Sequence, residues 1–141
     1  MPHYLFRPLA AQQEKLTFKS IFTLADAFDA SRLATAIRLV ENDHSPAVLI
    51  CHSPIGRKWF TRAPSVPQKW FPREALDAES HALGVQFGGN ADDPLPCRVG
   101  ADAWFDRWDA DQFEVHEQTM RIGPNETLTL VTITDPKMLD E

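Results

Sequence analysis

The apolar spacing of the first forty residues changes phase at Asp29-Ala30-Ser31, and that break constrains the fold more than any other stretch. Before it, Phe18, Ile21, Phe22, Ala25 and Phe28 recur at the three- and four-residue intervals of one helical stripe, which predicts a helix over 17–28 with Thr17 as its N-cap. After it, Ser31 is placed to cap a second helix that turns Ala34, Ile37 and Val40 inward, flanked by Leu33 and Leu39. Asn42-Asp43-His44-Ser45-Pro46 stops that helix, because proline and turn formers cannot continue it. Two short helices joined by a tight turn form a helix-turn-helix-like head over residues 1–45.

Beyond Pro46 the pattern becomes that of strands, so residues 46–141 read as a separate α+β body. Ala47-Val48-Leu49-Ile50-Cys51 is a continuous β-prone run, and Ser53-Pro54-Ile55-Gly56 is turn chemistry leading into Arg57-Lys58-Trp59-Phe60-Thr61-Arg62. That is a β-hairpin with a buried first strand. A helix is expected over 73–85, capped near Asp77 and burying Ala78, His81, Ala82 and Val85 on one side, followed by a loop from Gly88 to Pro94. Three further strands are expected over 99–105, 112–122 and 127–134, the last two joined by Gly123-Pro124-Asn125-Glu126. Leu128-Thr129-Leu130-Val131-Thr132-Ile133 is apolar or β-branched on both faces, which predicts a central strand. The fold class is α+β, a helical head before an antiparallel sheet with one or two helices.

The 141 residues carry a formal charge of −6, unevenly spread. Residues 1–45 are neutral, 46–90 carry +2 and 91–141 carry −8. A phosphate backbone is repelled by the acidic third, and the second helix offers only Arg32, Arg38 and Asn42 against Glu41. If the head reads DNA, its contact face is Ser31, Arg32, Thr35 and Arg38. The charge favours a structural or interaction role for it instead. No stretch reaches eighteen apolar residues and Met1-Pro2-His3-Tyr4-Leu5-Phe6-Arg7-Pro8 has no signal-peptide pattern, which places the expectation on a cytoplasmic protein without a membrane segment. Cys51 and Cys97 are read as structural thiols in a reducing compartment.

No catalytic or metal-ligating set is expected. The five histidines are scattered with no pair at four-residue spacing, and the zinc alternative is a distant constellation such as Cys51, Cys97 and His116. There is no G-x-S-x-G and no phosphate-cradling glycine loop. Neither an enzyme nor a cofactor is predicted. The one recurrent chemistry is Trp-Phe-x-Arg, found as Trp59-Phe60-Thr61-Arg62, Trp70-Phe71-Pro72-Arg73 and Trp104-Phe105-Asp106-Arg107. These rings either fill both layers of the core, line a pocket in which Trp59, Trp70 and Trp104 converge and Arg62 or Arg107 orients an anionic or planar ligand, or form a docking face for a partner.

Met1-Pro2 with Tyr4-Leu5-Phe6, Leu24-Ala25-x-x-Phe28, Ala34-Thr35-Ala36-Ile37-Arg38, the Trp59-Phe60 hairpin and Glu117-Gln118-Thr119 with Leu128-Thr129-Leu130 together resemble the region that follows the catalytic domain in ImmA/IrrE-type zinc metallopeptidases. The resemblance implies a helix-turn-helix-like head and a GAF-like body, and it lacks the family's H-E-x-x-H helix. It points to a noncatalytic regulatory or interaction module with a protein partner or self-association. The alternatives are a DNA-binding transcriptional regulator, a small-molecule-sensing GAF-like domain, and a fragment of a complete zinc peptidase whose catalytic part lies upstream, Met1 then being internal.

Overall fold

A computed structural model of the chain describes residues 21, 31–43, 45–76, 81–86, 93–122 and 126–140. Among them the elements are helix α1 (Arg32–Glu41), strands β1 (Ala47–Ser53) and β2 (Gly56–Arg62), helix α2 (His81–Gln86), and strands β3 (Asp93–Gly100), β4 (Glu114–Arg121) and β5 (Thr127–Ile133). Short 3₁₀ turns occupy Ala101–Ala103, Ala110–Gln112 and Pro136–Leu139.

Helix α1 begins where the phase break placed it. Ser31 Oγ accepts the Ala34 N–H at 3.0 Å, and Thr35 Oγ1 donates to the Ser31 carbonyl at 2.9 Å. At the far end Asn42 Nδ2 donates to the Arg38 carbonyl at 2.7 Å, and Asp43 turns the chain away with φ 59°. The buried stripe differs from the expected one: Thr35, Ala36, Leu39 and Val40 face inward, Ile37 is half-buried, and Ala34 and Leu33 are exposed. Two adjacent pairs four residues apart make a tighter stripe than the expected three-residue steps. The preceding helix over 17–28 lies outside the described residues except for Ile21, which is helical and buried.

The five strands form one antiparallel sheet of order β2-β1-β5-β4-β3. β5 sits at its centre, as apolar or β-branched side chains on both faces predict, and β1 is buried along all but its last residue. The β1–β2 hairpin turns at Pro54-Ile55, and Gly56 enters β2 with φ +135°. The register slips between Cys51 and His52.

Two expectations on the connecting segments need correction. The strand placed over 99–105 runs instead over Asp93–Gly100, and Ala101–Ala103 is a 3₁₀ turn. Pro94 and Pro96 lack N–H donors, and an edge strand accommodates them because one of its sides needs no partner. Of the helix placed over 73–85, residues 73–76 are not helical, residues 77–80 with the expected cap at Asp77 lie outside the described residues, and His81–Gln86 is helical, with Ala82 and Val85 buried as expected. At the start of that segment Pro72 bridges Phe105, and the Arg73 N–H donates to the Trp104 carbonyl at 2.8 Å.

Directly opposed residues of antiparallel strands share a face, so the registers sort the side chains. Leu49, Cys51, Trp59, Leu128, Leu130, Gln118 and His116 lie on one face. Val48, Ile50, His52, Phe60, Arg62, Cys97, Glu117, Thr119, Thr127, Thr129 and Val131 lie on the other. The second face carries Trp104, whose indole reaches Glu117, and α2, whose Gln86 accepts from Thr127 Oγ1 at 2.9 Å.

Candidate functional site

Beneath Trp104 the second face of the sheet is polar for its depth. The 3₁₀ turn Ala101–Ala103 delivers the ring, with the Trp104 N–H donating to the Ala101 carbonyl at 3.1 Å. The indole Nε1 donates to a Glu117 carboxylate that is 2% exposed. Thr119 and Thr129 share a hydroxyl hydrogen bond of 2.9 Å across β4 and β5. His52 packs its ring at 5.9 Å from that of Trp104 and is 1% exposed. Neither of its nitrogens has a hydrogen-bond partner among the described residues. Burial is the main cause that pushes its pKa down to about 4, and the Arg57 charge adds to it. The backbone of Arg73 and Glu74 lies close enough to oppose the shift without meeting hydrogen-bond geometry at either nitrogen.

The expected convergence of Trp59, Trp70 and Trp104 is not what the registers produce. Trp59 opposes Cys51 and is half-buried on the first face, while Trp104 is bonded to the second. Trp70 is 1% exposed, donates Nε1 to the Met138 carbonyl at 2.6 Å and packs on Phe105 and Phe113, each at 5.7 Å. Arg62 and Arg107 both come to Trp70 instead. Arg62 lies over Phe60 at 5.3 Å with Nη2 at 3.4 Å from the Trp70 carbonyl, and Arg107 lies over Trp70 at 5.8 Å while paired with Asp109 at 2.8 Å. The zinc alternative is also divided by the pleat, because Cys97 faces away from Cys51 and His116. Among the described residues no group of three His, Cys, Asp or Glu side chains is set to hold a metal.

Of the helix-turn-helix contact face, Ser31 is exposed but occupied with capping, Thr35 is fully buried and Arg38 is half-buried. The Arg32 side chain lies outside the described residues. Thr35 faces inward because it shares the buried stripe with Leu39, four residues on.

An exposed arginine–aromatic surface adjoins the Trp70 cluster. The Arg57 guanidinium lies over both the Phe60 ring at 5.2 Å and the Phe71 ring at 5.0 Å and donates Nη1 to the Pro72 carbonyl at 2.6 Å. The two rings meet edge to face at 5.2 Å. Phe71 nevertheless remains 52% exposed, and Trp108, beneath which Arg107 is stacked at 5.8 Å, is 80% exposed. The second Trp-Phe-x-Arg triplet pointed to Phe71, but no pattern in the sequence marks Trp108. No protein-family model matches this chain, and a search of curated proteins returns no match.

Proposed function

We propose that the chain is a noncatalytic regulatory and interaction module, of the kind its resemblance to the C-terminal region of ImmA/IrrE-type metallopeptidases implies, and that it binds protein through its arginine–aromatic surface. The observation that carries this is the exposure of Phe71 and Trp108 beside guanidinium groups already held in place on Phe60, Phe71 and Trp70. Tryptophan and arginine are the residues most enriched at energetic centres of protein interfaces, and pre-stacked arginines lose little freedom when a partner arrives. The burial of Thr35 weighs against base contact by helix α1, and the antiparallel sheet is compatible with a GAF-like body.

Photo-crosslinking in the source cells tests the proposal. With benzoylphenylalanine in place of Phe71 or Trp108, a discrete protein adduct is expected, absent when the same group replaces exposed Glu41. Identical labelling from all three positions, or none from any, overturns it.

His52 favours a second reading, a small-molecule sensor. Its two unpartnered nitrogens, one donor and one acceptor in the neutral ring, lie beside Trp104 and are suited to a polar ligand entering the second face of the sheet. Titration with a metabolite panel is expected to change tryptophan fluorescence saturably, with His52→Leu abolishing the response. A wild type and a His52→Leu variant with the same flat titrations exclude the sensor.

A further inference from the structure

The arginine–aromatic surface has two halves of opposite charge set side by side. The Pro72–Phe105 bridge aligns residues 71–73 with 104–106, and Arg73 Nη1 approaches Asp106 Oδ1 at 3.9 Å across it. On the basic half, Phe71 is accompanied by Arg57, Arg62 and Lys69, none of which is paired with a carboxylate among the described residues. On the acidic half, Trp108 is accompanied by Asp106, whose side chain is 82% exposed, and by exposed Asp111. Each half therefore presents one large exposed ring, the Phe71 half beside an excess of cations and the Trp108 half beside Asp106, Asp111 and the mutually paired Arg107 and Asp109.

We infer that this surface binds a second copy of the same chain in a twofold-symmetric dimer, the Trp108 half of one protomer lying on the Phe71 half of the other and the reverse. The inference rests on the proposed interaction function and names its partner. Two halves that complement each other on one molecule form an isologous contact when rotated by a two-fold axis between them, so one patch supplies both sides. Trp108 then lies on a surface of stacked guanidiniums and Phe71, while Asp106 and Asp111 meet the cations that have no carboxylate partner among the described residues. A partner with uniformly acidic chemistry satisfies only the Phe71 half and is repelled by the other, as is a nucleic acid.

Sedimentation equilibrium on the full chain decides the matter. The wild type is expected at twice the chain mass and to dissociate with rising salt. Trp108→Ser, which removes an exposed ring without disturbing the core, is expected to weaken the dimer about thirtyfold with an unchanged circular dichroism spectrum. Asp106→Arg with Asp111→Arg makes both halves basic, and Lys69→Glu with Arg57→Glu makes the first half acidic. Each variant alone is expected to be monomeric, and an equimolar mixture is expected to form a heterodimer. A monomeric wild type, or a dimer indifferent to Trp108→Ser and to both charge reversals, overturns the inference. A discrete crosslink from position 71 or 108 to a different protein, with the wild type monomeric, leaves the interaction proposal standing and removes the self-association. If Arg57→Glu unfolds the chain, Lys69→Glu alone in the mixture serves as the acidic variant.

Discussion

The indole nitrogen of Trp104 donates to the carboxylate of Glu117, joining the turn after β3 to the buried face of β4. Both residues are at most 2% exposed, so water cannot replace a donor that is removed. Trp104→Phe is expected to lower the unfolding free energy by about 2 kcal/mol, because it removes the indole donor from a carboxyl group buried away from water. Trp70→Phe, which leaves only the neutral Met138 carbonyl without its donor, is expected to lose about 1 kcal/mol. Urea denaturation checks the ranking, and equal losses would contradict it.

Stability should fall on mild acidification because of His52. Its folded pKa is about 4 against an ordinary 6.5, so between those values the unfolded chain binds a proton that the folded chain does not. The contribution is complete above about pH 6.5, declines as the pH falls and levels off below about 4, with a total loss on the order of 3 kcal/mol. His52→Leu is expected to flatten the urea midpoint over this window. Parallel pH profiles for wild type and variant would refute the assignment.

Gly56 should tolerate a side chain poorly. With φ +135°, an added Cβ is strained whatever the space, and it would also meet Glu74 Cγ at 3.3 Å. Gly56→Ala is expected to destabilise by about 1–3 kcal/mol. Gly100, with φ −61°, has no such backbone restriction, and its nearest neighbour is the movable Asp102 carboxylate end. A smaller loss at Gly100→Ala in thermal melts is expected, and the reverse order would be evidence against the backbone argument.

The two cysteines should react at different rates. Cys51 is fully buried in β1, and burial is the main cause of its raised thiol pKa, with the Glu126 charge adding and Lys58 opposing. Cys97 is partly exposed on the edge strand β3. Labelling without denaturant should modify Cys97 first and Cys51 roughly a hundredfold or more slowly, limited by opening of the sheet. Mass spectrometry of the labelled peptides reads this directly, and comparable rates would show that β1 opens easily.

The hairpin and the central strand were legible in the sequence because β1 and β5 carry apolar or β-branched side chains on both faces, a pattern that survives any choice of register. The cap of α1 was legible because Ser31 makes a local bond that needs no tertiary partner. The side on which each tryptophan falls was not. It depends on the pairing register and on the slip between Cys51 and His52, neither of which is a local property. The position of β3 was obscured by Pro94 and Pro96, which disfavour a strand until the segment is known to lie on an edge. The Arg57–Phe71 contact was equally hidden, since the Pro72–Phe105 bridge that sets this segment in place joins residues far apart in the chain.

The placement of β5 between β1 and β4 fixes the order of events on the ribosome. The β1–β2 hairpin emerges early, yet β1 keeps an unpaired apolar edge until β5, encoded far downstream, reaches it. During synthesis the nascent chain therefore carries the aggregation-prone segment Ala47-Val48-Leu49-Ile50-Cys51 with one side open, and sheet closure is a late, long-range step. Chaperone occupancy on ribosome-bound chains should accordingly concentrate on this segment and end once residues 127–133 have left the exit tunnel.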